Sequence, residues 1–238
     1  MNNKEKVYEH QEPQWSKQRP ARVTPFVADI EAHVERTFPE RKHVVFPEKV
    51  SEFVQVDIHL LEALTPQDVH VLYTVGMSAL PMELPEEYRD KLQGLERAEL
   101  LLFLPPEWKL APPVEGEVEN NSVWWPVNLM KYLAKFPHEY NTWLGGGHIV
   151  PNSKGYEPYD ETTKLCGAML GALQEEVSVF HAKDGTQLNL YTVVPLYQEE
   201  ILKERAEGLE ALLGSLSAIN GFGMTIFPDR PNVGMTEE

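Results

Sequence analysis

Apolar side chains recur along this chain with two periods, and the switches between them mark the elements. Phe26, Ile30, Val34 and Phe38 repeat every four residues, the stripe of an amphipathic helix. Thr24 is placed to cap that helix. Pro25 suits its first position, where a missing N–H costs nothing, and Pro39 ends it. Over residues 53–61 the period drops to two: Val54, Val56, Ile58 and Leu60 share one face, and Gln55, Asp57 and His59 the other. Residues 69–75 repeat the pattern, with Val69, Val71, Tyr73 and Val75 opposite His70 and Thr74. The intervening Thr65-Pro66-Gln67-Asp68 is turn-forming, so the two segments are expected to make a hairpin.

Further along, Pro85-Glu86-Glu87 predicts a short helix. Residues 98–104 read as a continuous apolar run closed by Pro105-Pro106, which suits a central strand buried on both faces. Residues 111–121 carry prolines, acids and asparagines, and read as a loop. Trp124-Trp125-Pro126 leads into a helix through about Tyr140, with Leu129, Leu133 and Phe136 spaced for packing. Residues 144–163 are irregular, and strands are expected at 164–170, 177–180 and 187–194, with Asp184-Gly185 turning between the last two. One final helix over 196–216 is expected, with Leu202, Ala206, Leu209, Leu213 and Leu216 inward and Glu199, Glu200, Lys203, Glu204, Glu207 and Glu210 outward. Helices and strands interleave while the hairpins run antiparallel. The expected class is α/β: an α+β sandwich whose mixed, largely antiparallel sheet is covered by helices, not a doubly wound nucleotide fold. The expected organisation is a flexible arm over 1–22, one domain over 23–228 and a tail over 229–238, weakly structured from Gly221 onward.

Composition narrows the function. Thirty-seven acidic against 21 basic residues leave a formal charge of −16, which repels nucleic-acid backbones and attracts a basic protein partner. No apolar run approaches the roughly 18–20 residues that cross a bilayer, and the polar N-terminus does not read as a signal peptide, so no membrane partner is expected. A single cysteine, Cys166, fits a reducing compartment and reads as a core thiol among Leu165, Gly167 and Ala168. The expected location is the cytoplasm.

Tests for chemistry mostly fail. Gly145-Gly146-Gly147-His148 lacks the Lys-Ser/Thr ending of a phosphate loop. The eight histidines include no i, i+4 pair beside a glutamate, so no metal is expected, nor any cofactor. His59 and His70 are expected to face each other, solvated, across the hairpin. Ser78 follows Gly76-Met77, but Leu80 stands where a nucleophile elbow needs glycine. Glu199-Glu200 reads as a solvated helix start. What remains is the loop that carries Trp143, His148, Tyr156, Tyr159, Asp160 and Glu161, where aromatics beside acids match the composition of a partner-binding patch. Its rings equally suit closing one end of the core. Two other readings stay open: an enzyme site over 145–160 using His148 and Asp160, and an adaptor that offers a strand edge to an extended peptide.

Several segments, in order, resemble the suppressor-of-fused domain family. They are Thr74-Val75-Gly76-Met77-Ser78 with Met82; Ala98-Glu99-Leu100 through Leu104-Pro105-Pro106-Glu107-Trp108; Gly147-His148 with Pro151-Asn152; Thr163-Lys164-Leu165-Cys166-Gly167; and Val193-Val194-Pro195-Leu196-Tyr197-Gln198-Glu199-Glu200 followed by Glu207-Gly208-Leu209-Glu210-Ala211-Leu212-Leu213. The resemblance spans about residues 25–228. It implies an α/β sandwich without catalytic activity. Eukaryotic members are two-part proteins that sequester transcription factors by gripping an extended peptide. This chain is too short for their C-terminal portion and resembles the bacterial single-domain members, proposed as immunity proteins that neutralise toxins. Asp160 falls in a loop that roughly corresponds to their partner-binding loops. The expected function is therefore non-catalytic sequestration of a protein, with a basic toxin domain as the suggested partner.

Overall fold

The computed structural model describes residues 22–49, 51, 53–110, 121–219, 224–227 and 230–235. Its frame is one sheet in the order β1-β2-β3-β4-β8-β6-β5, with β7 paired to β8 beside that path. The strands are β1 (His43–Phe46), β2 (Asp57–Leu61), β3 (His70–Val75), β4 (Ala98–Leu104), β5 (Ile149–Pro151), β6 (Leu165–Gly171), β7 (Val179–His181) and β8 (Gln187–Tyr197). Every pairing between these strands is antiparallel except β4 with β8. The mixed, largely antiparallel sheet covered by helices is the architecture that the periodicity predicts.

Alternation along the strands sends side chains into two apolar layers. On one face, Ile58, Leu60, Leu72, Leu100, Leu102, Tyr191 and Val193 meet Trp125, Leu129, Met130 and Leu133 of α2 (Asn121–Glu139). On the other face, Leu61, Val71, Tyr73, Val75, Leu101 and Phe103 meet Phe26, Ile30 and Val34 at α1 (Val27–Thr37). That second face continues over β6 and β8, where Met169, Val194 and Leu196 pack under Ile201 of α4 (Gln198–Glu207) and Leu212 and Leu216 of α5 (Leu209–Leu216). A one-turn helix, α3 (Glu175–Ser178), precedes β7.

Several expectations are corrected. The helix expected over 196–216 is two helices, and the strand before it runs on through Tyr197. Gly208 breaks the helix in the left-handed region at φ 92°, a conformation cheap only for glycine. The break resets the helical phase. Leu202 and Ala206 face solvent, and Ile201, Leu212 and Leu216 are the buried apolar residues. β5 lies where irregular chain was expected, and β1 in a stretch where no element was expected, because strands of three and four residues are too short to show a period. α2 opens at Asn121, ahead of the expected Trp124, while the rest of the segment read as a loop lies outside the described residues. So does the expected arm, apart from Arg22, which bridges to Val54. Thr24 does not serve as the helix N-cap. Its hydroxyl bonds Ser78 Oγ at 2.9 Å and accepts the Phe26 N–H.

The polar face of the first hairpin is covered, not solvated. α1 lies across it, and His59 is 3% exposed. His59 stands opposite Tyr73 in the register, and its ring lies against His43 of β1 rather than His70. His70 instead bonds the Pro106 carbonyl and the Ala63 N–H.

Candidate functional site

The segment from Trp143 to Glu161 hangs from the β5 edge of the sheet by backbone bonds. The Gly147 N–H donates to the Leu170 carbonyl, Leu170 N–H to His148 O, Asn152 N–H to Cys166 O and Tyr159 N–H to Leu165 O. These four bonds stitch the irregular stretch onto β6, so the loop has a fixed shape. Side chains complete it. The Asn152 amide donates to the Glu157 carbonyl at 2.9 Å, Ser153 Oγ accepts the Glu157 N–H, and Asp160 Oδ1 accepts both the backbone N–H and the hydroxyl of Thr162.

The structure divides the expected site residues into two groups. Trp143 and Tyr159 pack against the main core, and Tyr159 stacks on Trp125 with ring centroids 5.4 Å apart. Burial pushes the Tyr159 phenol well above its ordinary pKa, and its oxygen has no hydrogen-bond partner among the described residues. His148 meets the edge of the Trp143 ring at 4.4 Å and hydrogen-bonds the Trp143 backbone. Burial pushes its imidazole below the usual range. These rings close the end of the core, one of the two readings the sequence left open: Trp143, Tyr156 and Tyr159 are all partly buried. Tyr156 lies over α4, where the Arg205 guanidinium donates to its hydroxyl and sits 5.6 Å from its ring centroid. Asp160 is half-buried and Glu161 exposed.

What faces solvent is an acidic shoulder. Glu157 and Glu161 are exposed on the loop, and the Tyr156–Arg205 contact brings the loop against α4. There Leu202, 43% exposed, lies one helical turn before Arg205. The shoulder thus offers carboxylates beside an apolar side chain on a braced segment. His148 meets the Trp143 ring, and Asp160 bonds Thr162.

The segments that carry the family resemblance do other work. Glu99, read in sequence as part of an apolar run, is fully buried. It accepts hydrogen bonds from the Thr74 and Ser78 hydroxyls, each at 2.6 Å, and from the N–H groups of Gly76, Met77 and Ser78. Burial raises its pKa against those bonds, which favour the ionised form. Gly76 is required at this turn: its φ is 144°, and a Cβ there would sit 1.9 Å from the Gln55 carbonyl oxygen. Ser78 is fully buried.

Glu200, expected in solvent, is also 0% exposed. Both its oxygens receive Arg230, at 2.7 and 2.6 Å, and the Tyr197 and Val233 N–H groups. The segment from Arg230 is therefore docked on α4, where a loose tail was expected. Cys166 is a buried thiol as expected, pushed up to about 11 by burial and the carboxylates of Glu199 and Glu200.

A mixed, largely antiparallel sheet between helical layers, with buried polar hubs, defines an α/β sandwich. The chain belongs to the suppressor-of-fused protein (SUFU) family, whose model matches residues 53–230. Solved structures share the fold. The crystal structure of the Sufu–Fu complex aligns with a TM-score of 0.58 at 14% identity over 89% of this chain and 93% of that one. A protein described as a SUFU homologue from Neisseria gonorrhoeae aligns at 0.60 and 12% identity, covering 89% of this chain and 98% of that one. Drosophila Suppressor of Fused aligns at 0.59 and 14% identity over 91% of this chain, which spans 54% of its length. No curated protein matches the sequence. Among the described residues, no helix is long and apolar enough to cross a membrane.

Proposed function

We propose that this chain is a non-catalytic, cytoplasmic protein-binding module that sequesters a basic protein, acting as an immunity protein that covers a bacterial toxin domain. The observation that carries the reading is the braced acidic shoulder of Glu157, Glu161 and Leu202 on a chain of formal charge −16. Family membership supports it, since a SUFU-type structure has been solved as a complex with a protein, Fu. Long-range attraction would speed encounter with a basic surface, and the apolar side chain would slow release. The mechanism is steric: the partner is covered, not modified.

Affinity capture with the full chain from its native host, followed by mass spectrometry, tests this. A stoichiometric basic partner is expected, with an association rate that falls steeply with salt and by about tenfold in Glu157→Lys/Glu161→Lys. Capture of no protein, or of one indifferent to both salt and the charge reversal, sinks the proposal. A second reading rests on the sheet edge. β1 is the last strand of the sheet among the described residues, with Val45 42% exposed, and an extended peptide could add to its outer edge. That reading predicts a partner unfolded when free.

A further inference from the structure

At the opposite end of the sheet from the acidic shoulder, polar atoms from four elements converge beneath α1. His43 Nε2 lies 2.9 Å from His59 Nδ1, and the Tyr73 hydroxyl lies 3.2 Å from His59 Nδ1 and 3.3 Å from His43 Nε2. A Glu31 carboxylate oxygen on α1 is 3.7 Å from the same His59 nitrogen. One turn further along α1, Glu35 lies 3.5 Å from His43 Nδ1, the ring nitrogen that points away from the cluster. Ligand atoms of Glu31, His43 and His59 all fall within 4.8 Å of one another.

With Glu35 holding the hydrogen of His43 on Nδ1, the Nε2 lone pair faces inward. His59 Nδ1, the Tyr73 oxygen and Glu31 point toward the same spot, and one hydrogen, on His59 Nδ1 or the Tyr73 hydroxyl, suffices to bridge to His43 Nε2. A divalent cation can replace that hydrogen and take both imidazole lone pairs, with Glu31 supplying negative charge. The donor set, two imidazoles and a carboxylate, suits a divalent first-row transition ion rather than calcium or magnesium. The carboxylate behind a ligating imidazole is the outer support that such sites use to fix ring orientation.

We propose that Glu31, His43 and His59 form a metal site for a zinc-like divalent cation, with Tyr73 beside the ion and Glu35 holding His43 from behind. Tetrahedral ligation at about 2.0–2.1 Å per nitrogen sets the two imidazole nitrogens about 3.3 Å apart, so the pair opens by a few tenths of an ångström on binding. Glu31 has a side chain 34% exposed, which leaves an entry path from solvent. The ion ties α1 to the two outermost strands, β1 and β2, at this edge. The sequence search for zinc missed this because it looked for histidines one helical turn apart, whereas these ligands come from separate elements. The proposal stands independently of the acidic shoulder.

The test uses the full chain, stripped with a chelator and titrated with Zn²⁺ by calorimetry and with Co²⁺ by visible absorption. One equivalent per chain is expected, with Co²⁺ bands of a four- or five-coordinate site. His43→Ala and Glu31→Gln should each weaken binding more than about tenfold, and Glu35→Gln by less. Exposed His181→Ala should leave it unchanged. Zn²⁺ should also raise the melting temperature of the wild type but not of the folded His43→Ala or His43→Gln variants. Failure to bind one equivalent, or binding that survives both Glu31→Gln and His43→Ala, overturns the site. In that case the two imidazoles merely share a proton.

Discussion

The sheet buries polar groups at both ends of one face, and the two ends are built on opposite principles. Under α4, Glu200 receives a bidentate Arg230 and two backbone N–H groups, and Arg230 in turn donates to the Pro195 and Pro231 carbonyls. Charge balances charge, and the carboxylate oxygens are matched by donors, although Arg230 Nε has no hydrogen-bond partner among the described residues. Under α1, the imidazoles of His43 and His59, the Tyr73 hydroxyl and the Glu31 carboxylate turn ligand atoms toward one spot with no cationic side chain among them. A buried pair that carries its own cation is a fastening. A group of ligand atoms without one is a place for a cation to bind.

The contrast can be broken from the fastening side first. Arg230→Ala strands Glu200 as a buried, unpaired charge, and a loss of on the order of 3–5 kcal/mol is expected from urea denaturation. A loss under about 1 kcal/mol would show that the carboxylate reaches water. Glu99→Ala leaves the donors of Thr74, Gly76, Met77 and Ser78 unpaired in a dry interior, and about 2–4 kcal/mol should go, measured the same way. At the other end, His43→Ala in chelator-treated protein should cost no more than about 1 kcal/mol, because its side chain is 24% exposed and its loss leaves His59 and Tyr73 bonded to each other. Added Zn²⁺ should then widen the gap from the wild type.

Acid supplies a smaller effect. His33 Nε2 lies 2.8 Å from the Val177 carbonyl and its Nδ1 lies 3.0 Å from Arg36, so the ring must donate on one side and accept on the other, which fixes it neutral. Burial and Arg36 hold its pKa below 6.5, as burial does for His138. The unfolded chain therefore takes up protons first as pH falls below about 6.5, and stability declines from there toward the lowered folded values, by at most about 1.4 kcal/mol per pH unit for each group. Melting temperatures at pH 7.5 and 5.5 in the presence of chelator check this, and a flat profile contradicts it. Smallest of all, Glu161→Lys should move stability by no more than about 0.5 kcal/mol while slowing capture of a basic partner.

Where one face of an element is wet and the other dry, the pattern was readable. The four-residue stripe of α1 and the alternation of β2 and β3 predicted those elements and the hairpin between them. The pattern misled where a second layer covered a polar face. His59, Glu99 and Glu200 each look like surface or run-of-chain residues until α1, the turn at Gly76 or the segment at Arg230 closes over them. Among the candidate site residues, Trp143 and Tyr159 turn into the core, an alternative the sequence left open, and Glu157 emerges on the rim. Glu31 and Glu35 carried a faint signal, two acids one turn apart on an amphipathic helix, but nothing local linked them to His43.

Local propensity and periodicity, acting within a few residues of each side chain, settled the element types, the mixed sheet and the acidity of the surface. Tertiary structure alone decided which polar residues lose their water and which partners they gain. Such pairings join residues as distant as Glu200 and Arg230, or Glu31 and His59, and no spacing rule along the chain encodes what chain folding brings together across the sheet.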